Sequence, residues 1–285
     1  MPESSAETCL AFRDLTLGYA SHPAVHHLSG ELARGALTAI VGPNGSGKST
    51  LLKGIAGLIA PMSGACSIAP DTRIAYLPQQ SELDRHFPAR VVDLVSMGLW
   101  PRRGLLGRHT ADDRSKISEA LDAVGLAEFA TRPIDTLSGG QLQRALFARV
   151  MVQDADLILL DEPFNAVDHH TIRALLALIE RWHGERRTVL VVAHDLDIVR
   201  AHFPETLLLA REPVAWGPTA EVLTRDKLRK AQHFHEAWRD DAPWCEPADG
   251  SSSGHAHDHD HNEHGHTHAH TPEPAPAKGA GSEAA

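Results

Sequence analysis

At 285 residues with a formal net charge of -10, the chain is long enough to bury a substantial core and too acidic to present the basic face that nucleic acid demands. Cys9, Cys66 and Cys245 are odd in number and far apart, which argues against a secreted disulfide framework and fits a reducing cytoplasm. No basic-then-apolar leader follows Met1 and no apolar run reaches about 18 residues, so membrane contact is expected to pass through another protein.

From Leu10 to Leu37, short alternating stretches such as Leu15-Thr16-Leu17 and Leu28 to Leu32 predict strands. Ala36 to Val41 is a buried-type strand that runs into a glycine-rich loop, Gly42 to Thr50, and an apolar helix, Leu51 to Leu58. Arg73 to Leu77 predicts another strand. Helical spacing follows over Val91 to Gly98 and Asp112 to Val124, with Pro101 and its neighbouring glycines between them. A helix over Gly140 to Gln153 precedes the apolar strand Leu157 to Leu160. Ile172, Leu175, Leu176 and Ile179 fall on one helical face, and strands are expected over Val189 to Ala193 and Thr206 to Ala210. Apolar strands alternating with helices predict a parallel α/β core. Beyond about Asp240 almost nothing is apolar, and the segment 240–285 is expected to be disordered.

Gly42-Pro43-Asn44-Gly45-Ser46-Gly47-Lys48-Ser49-Thr50 fits Gly, four residues, Gly-Lys-Ser between a strand and a helix. Glycines let backbone N–H groups turn inward around phosphate oxygens, and the helix amino end favours negative charge. Lys48 is expected to reach the β- and γ-phosphates and Ser49 to hold Mg²⁺. The loop predicts nucleotide binding without separating a kinase from a motor or a transporter ATPase.

Leu157-Ile158-Leu159-Leu160-Asp161-Glu162 ends a buried strand on two acids beside the crevice where parallel sheets bind ligands. Asp161 is expected to orient Mg²⁺ through its water shell and Glu162 to polarise the attacking water. Leu137-Ser138-Gly139-Gly140-Gln141 opens a helix and makes a second anion-binding surface. Over roughly Leu10 to Arg225 these ordered motifs closely resemble the ABC ATPase family, whose signature is Leu-Ser-Gly-Gly-Gln.

The resemblance implies a P-loop ATPase cassette over 10–239, with a β-subdomain, a RecA-like core and a helical subdomain at about 81–145. It implies a homodimer in which Ser138, Gly139, Gly140 and Gln141 of one chain close over ATP held by the phosphate loop of the other. Tyr19 corresponds to the aromatic that stacks on adenine; the alternative is a strand-end tyrosine in the core. Gln79 matches the glutamine that touches Mg²⁺ and the attacking water, with Gln80 adjacent. Asp168 matches the aspartate that crosses the dimer interface, although Asn165-Ala166-Val167 depart from the commonest pattern. His194 matches the histidine that contacts the γ-phosphate and holds Glu162. The helical subdomain is implied to receive a helix from an integral membrane permease, on whose cytoplasmic face the cassette sits. Val91, Val92, Leu94, Val95 and Leu99 suit either that surface or ordinary core packing.

Eight histidines, His255, His257, His259, His261, His264, His266, His268 and His270, alternate with acids and small residues. Such density can assemble Zn²⁺ sites; the plain alternative is a solvated linker. Whole-chain wording, including Asp161 to Asp168, also resembles the zinc/manganese importer branch. Taken with the tail, that resemblance implies zinc import and an extracytoplasmic solute-binding protein acting indirectly. The rivals are an importer ATPase for another metal or a chelate, a soluble ABC ATPase of translation or DNA maintenance, and a metal-storage protein with the cassette as a switch.

Overall fold

The computed structural model describes residues 7–20, 22–85, 87–104, 107–165 and 167–237. In chain order it forms β1 Thr8–Tyr19, β2 His22–Ala33, β3 Leu37–Val41, α1 Lys48–Ile55, β4 Ser63–Ile68 and β5 Ile74–Leu77. The middle of the chain is helical, with α2 Val91–Ser96, α3 Trp100–Arg103, α4 Ala111–Ala123 and α5 Gly139–Gln153. Then come β6 Leu157–Asp161, α6 His169–Gly184, β7 Thr188–Val192, α7 Leu196–His202, β8 Glu205–Ala210, β9 Glu212–Pro218, α8 Thr219–Val222 and α9 Arg225–Ala237.

The strands make two sheets. A three-stranded antiparallel sheet has the order β2-β1-β4, and a six-stranded sheet has the order β5-β6-β7-β3-β8-β9. In the larger sheet β5, β6, β7, β3 and β8 run parallel, and β9 closes the edge antiparallel to β8. The parallel strands are apolar along most of their length because both faces are covered. On β6, Leu157 and Leu159 enter a core shared with β1, β2 and the Leu51, Leu52 and Ile55 face of α1. Ile158 and Leu160 point the other way, into a core built with α2, α4, α5 and α6. On β7 the same alternation sends Leu190 and Val192 to the first core and Val189 and Val191 to the second. Phe147 of α5 stacks on Trp182 of α6 with ring centroids 5.7 Å apart, locking the helix that begins at Ser138 to the next layer. Truncating a fully buried aromatic such as Phe147 to alanine costs about 3–5 kcal/mol.

The α/β expectation holds, with local corrections. The helix after the glycine loop starts at Lys48, inside the motif, and ends at Ile55, before the left-handed Gly57 (φ 73°). Pro101 lies between α2 and α4 as expected, but it sits in the first turn of the short helix α3, where its missing N–H is not needed. Gly98 allows the turn after α2 to press against α5, since a Cβ there would lie 2.3 Å from the carbonyl oxygen of Arg149. β4 and β9 were not expected. β4 is mostly exposed and made of small residues, and β9 is an edge strand containing Pro213 and Pro218, so neither carries an apolar repeat. Among the described residues no helix is long and apolar enough to cross a membrane.

Candidate functional site

The phosphate loop, Gln79, Asp161, Glu162 and His194 gather at the carboxyl ends of β3, β5, β6 and β7, the edge where parallel sheets bind ligands. Leaving β3, the chain wraps into the glycine loop and enters α1 through Gly47, the N-cap, at φ 91° with no side-chain cap. Only glycine fits: the backbone is left-handed, and a Cβ would lie 2.3 Å from the carbonyl oxygen of Ala24. The first N–H groups of α1 are therefore left to a ligand. Lys48 is 5% exposed and donates from Nζ to the carbonyl oxygens of Gly42 (3.0 Å) and Pro43 (2.8 Å). Burial lowers its pKa, and the nearby Glu162 and Asp161 oppose that shift.

Asp161 ends β6 fully buried. Its Oδ1 accepts a hydrogen bond from Ser49 Oγ at 3.1 Å, while Oδ2 is buried without a partner. Burial pushes its carboxyl up to about 6, the Ser49 hydrogen bond works against that, and Glu162 adds to it. A buried carboxylate oxygen without a partner is costly. A carboxylate and a hydroxyl meeting beside a phosphate loop form the hard-oxygen donor set that suits Mg²⁺, so these residues fit that ion.

Glu162 turns the chain at φ 50°, a left-handed conformation that is strained for a non-glycine residue. Its carboxylate is held from three loops. Gln79 Nε2 donates to Oε2 at 2.6 Å, Asn165 Nδ2 donates to the same oxygen, and His194 Nε2 lies 2.5 Å from Oε1. With its proton on Nε2, His194 donates as well, and Oε1 keeps a lone pair for another donor such as water. Asn165 was not among the expected site residues; its signal is local, three positions after Glu162 on the turn that leaves β6. Residues 44–50, Gln79, Glu162, Asn165 and His194 line one cleft of about 850 Å³.

Other expected residues do not line that cleft. Tyr19 is 50% exposed at the end of β1, so it is not a core tyrosine. Ser138 is the N-cap of α5 in a reciprocal capping box: Gln141 N donates to Ser138 Oγ at 3.2 Å, and Ser138 N donates to Gln141 Oε1 at 2.9 Å. Gly139 and Gly140 form the first turn behind it. Asp168 caps α6, accepting from Thr171 N and Thr171 Oγ1 at 2.9 Å each, and these bonds lower its pKa. A Cβ on Gly140 would lie 3.5 Å from Asp168 Oδ2, so the two caps adjoin within one chain. Of the five residues considered for a partner surface, Val91, Leu94, Val95 and Leu99 are core, and Val92 is half-buried. The exposed apolar surface nearby comes from Phe87 (52%) and Trp100 (44%), which with Leu83, Leu94 and Met97 line a groove of about 310 Å³. The histidines 255–270 lie outside the described residues.

A phosphate loop, paired strand-end acids and a Ser-Gly-Gly-Gln helix start on this two-sheet frame define an ATP-hydrolysing cassette. The ABC transporter family model matches residues 25–165. MntB of Bacillus subtilis, a manganese transport system ATP-binding protein, is 41% identical over 223 residues, covering 76% of this chain and 89% of MntB. TroB of Treponema pallidum, a zinc transport system ATP-binding protein, is 40% identical over 224 residues, covering 76% of this chain and 84% of TroB. The ATP-binding cassette MJ0796, solved as a dimer in a post-hydrolysis state bound to ADP and Pi, superimposes with a TM-score of 0.65 at 26% identity. That match covers 74% of this chain and 98% of MJ0796. The chain belongs to the ABC transporter family, as its ATP-hydrolysing cassette.

Proposed function

We propose that this cassette powers import of a divalent metal ion, with zinc as the cargo, and that two copies sandwich two ATP molecules beneath a membrane-embedded permease. The observation that carries the catalytic part is the Glu162 carboxylate, held by Gln79, Asn165 and His194 at the mouth of the phosphate loop. Backbone N–H groups of 44–50 cradle the β- and γ-phosphates, and Lys48 turns from the Gly42 and Pro43 carbonyls toward the phosphate oxygens. Ser49 and Asp161, with Gln79 beside them, would hold Mg²⁺, which supplies positive charge to those oxygens when bound. Glu162 accepts a proton from the in-line water through the free lone pair of Oε1, and His194 fixes the carboxylate and faces the γ-phosphate. Tyr19, exposed at the end of β1, stacks on adenine in this reading.

The cleft is not lined by Ser138, Gly139, Gly140, Gln141 or Asp168, which supports a second chain supplying them. The Phe87 and Trp100 groove suits a helix of the permease, which would place the cassette on the cytoplasmic face of the membrane. Relatives named for manganese and for zinc support a metal cargo, delivered by an extracytoplasmic solute-binding protein. The imidazoles of 255–270 favour zinc and would buffer it near the importer, while MntB favours manganese as the second reading.

The experiment is co-purification of wild type and Glu162→Gln from membranes, with mass spectrometry of partners and ATPase assays under zinc and manganese loading. A multi-spanning partner and zinc-stimulated hydrolysis, with Glu162→Gln still binding ATP but at least about 100-fold slower, is the expected result. Stimulation by manganese alone would move the cargo to the second reading. A soluble partner alone would overturn transport.

A further inference from the structure

The segment between β5 and the helical layer is tied down at four points that do not share one purpose. Gln79 Nε2 donates to the Glu162 carboxylate at 2.6 Å. Its neighbour Gln80 points elsewhere, donating from Nε2 to the carbonyl oxygen of Gly139 at 2.9 Å. Glu82 pairs with Lys53 of α1 at 2.7 Å. Arg85 donates from Nη2 to the carbonyl oxygen of Leu137 at 2.8 Å. Two anchors thus lie on the machinery of this chain's own phosphate site. The other two grip the backbone on either side of Ser138.

The gripped carbonyls belong to different backbone environments. Leu137 precedes the helix, so no intrahelical donor reaches its oxygen, and Arg85 supplies one. Gly139 is the first residue of α5, and a side-chain donor on its oxygen fixes the azimuth of the first turn. Ser138 itself is exposed, with its capping bonds made inside the turn, so its direction is set by how the turn is held. Gln79 is the extended N-cap of the 3₁₀ turn Gln80–Glu82, so the two neighbouring side chains leave the backbone at the start of that turn in different directions.

We propose that Gln80 and Arg85 are positioning residues for the Ser138 turn, making 79–85 a strap that holds this turn in the orientation needed by the ATP site of the second chain. The inference rests on the two-chain reading above. It needs Gln80 as a hydrogen-bond donor, which gives it a chemical test: Gln80→Glu keeps size and removes the donor, whereas Gln80→Lys keeps one. In the background Glu162→Gln, ATP binding to dilute chain and ATP-driven dimerisation are measured separately, the second by sedimentation. With Glu162 intact, the steady-state ATPase gives the Hill coefficient.

Gln80→Glu should leave ATP affinity of the dilute chain unchanged, weaken ATP-driven dimerisation about tenfold and bring the Hill coefficient toward 1, with Gln80→Lys restoring both. Arg85→Met should act in the same direction. Dimerisation and Hill coefficient unchanged in Gln80→Glu, or an equal loss in Gln80→Lys, would overturn the strap while leaving the dimer standing. A Glu162→Gln chain that stays monomeric with ATP would overturn the two-chain reading, and the strap's trans role with it.

Discussion

Helices α1 and α5 each follow a small capping residue in a motif read as anion-binding, yet their amino ends are finished in different ways. At α1 the N-cap is Gly47, which has no side chain to offer, and the neighbouring Ser46 and Lys48 are buried. At α5 the cap is Ser138, and Ser138 and Gln141 satisfy each other's backbone N–H groups before any ligand arrives. The first end is incomplete and waits for phosphate. The second is closed by its own side chains at Ser138 N and Gln141 N and is exposed, leaving the Gly139 and Gly140 N–H groups and the Ser138 hydroxyl proton outside the capping box. The difference supports the proposed two-chain reading, in which one end binds phosphate in its own right and the other is a rigid contact presented to a second chain.

The largest effect should come from the incomplete end. Lys48→Ala removes the cation that the loop encloses, and ATPase activity should fall by about two to three orders of magnitude with ATP affinity reduced as well. Equilibrium nucleotide binding and steady-state hydrolysis check this. Retained affinity would mean that the backbone donors of α1 suffice alone, which would widen the contrast between the two ends.

Next comes the clamp on the same side of the contrast. Asn165→Ala removes one of three donors to Glu162, and a hydrogen bond to a charged group is worth about 1.5–3 kcal/mol, so kcat should fall roughly tenfold or more with KM unchanged. A change confined to KM would show that Asn165 contacts nucleotide instead of holding Glu162.

These two sites were not equally legible. The Lys48 loop is written in eight consecutive residues with a strand before and a helix after, so local pattern alone locates it. The strand-end acids and the Ser-Gly-Gly-Gln turn are likewise local. The clamp is not: Gln79 and Glu162 are 83 residues apart, His194 and Glu162 are 32 apart, and only the order of β5, β6 and β7 makes them neighbours. Resemblance to a family named Gln79 and His194, because they stand in its motifs. Asn165 stands where this chain departs from the commonest pattern, and it went unnoticed for that reason. Gln80 is visible in the sequence only as the neighbour of Gln79, since nothing in adjacent sequence reveals that the two side chains diverge. β4 and β9 were missed because edge strands need no apolar repeat.

A smaller effect belongs to the far end of α5. Asp154, its left-handed C-cap, takes hydrogen bonds from Arg73, Arg102 and Arg187, linking β5, α3 and β7 to the helix that starts at Ser138. Burial pushes its carboxyl up, but the bonds from Arg102, Arg187 and Arg73 outweigh this and hold it well below the usual range. A depressed carboxylate contributes stability that is present above its unfolded value of 3.8 and is lost as the pH falls toward the folded one. Asp154→Asn should therefore cost about 1–2 kcal/mol at neutral pH, after screening of half-exposed groups is allowed for. The gap in urea denaturation should narrow below pH 3.8. A gap that does not depend on pH would show that the arginines pack without pairing.

The smallest effect separates the two helix ends most cleanly. Ser138→Ala deletes the acceptor for Gln141 N, and loss of such a cap costs about 1 kcal/mol of stability. Because that bond is made within the turn, the loss should be the same with and without ATP for dilute chain, and ATP affinity should not move. The α1 end behaves differently: ATP at about 100 times its dissociation constant should stabilise wild type and Ser138→Ala alike by about 2.7 kcal/mol, since phosphate satisfies donors that the chain leaves open. Thermal unfolding in four conditions, each protein with and without ATP, gives the two increments independently. Additivity means that the ends are separate within one chain. A stabilisation by ATP that shrinks in Ser138→Ala at dilute concentration would mean that the Ser138 turn reaches its own chain's nucleotide, and the division between a binding end and a presented end would fall.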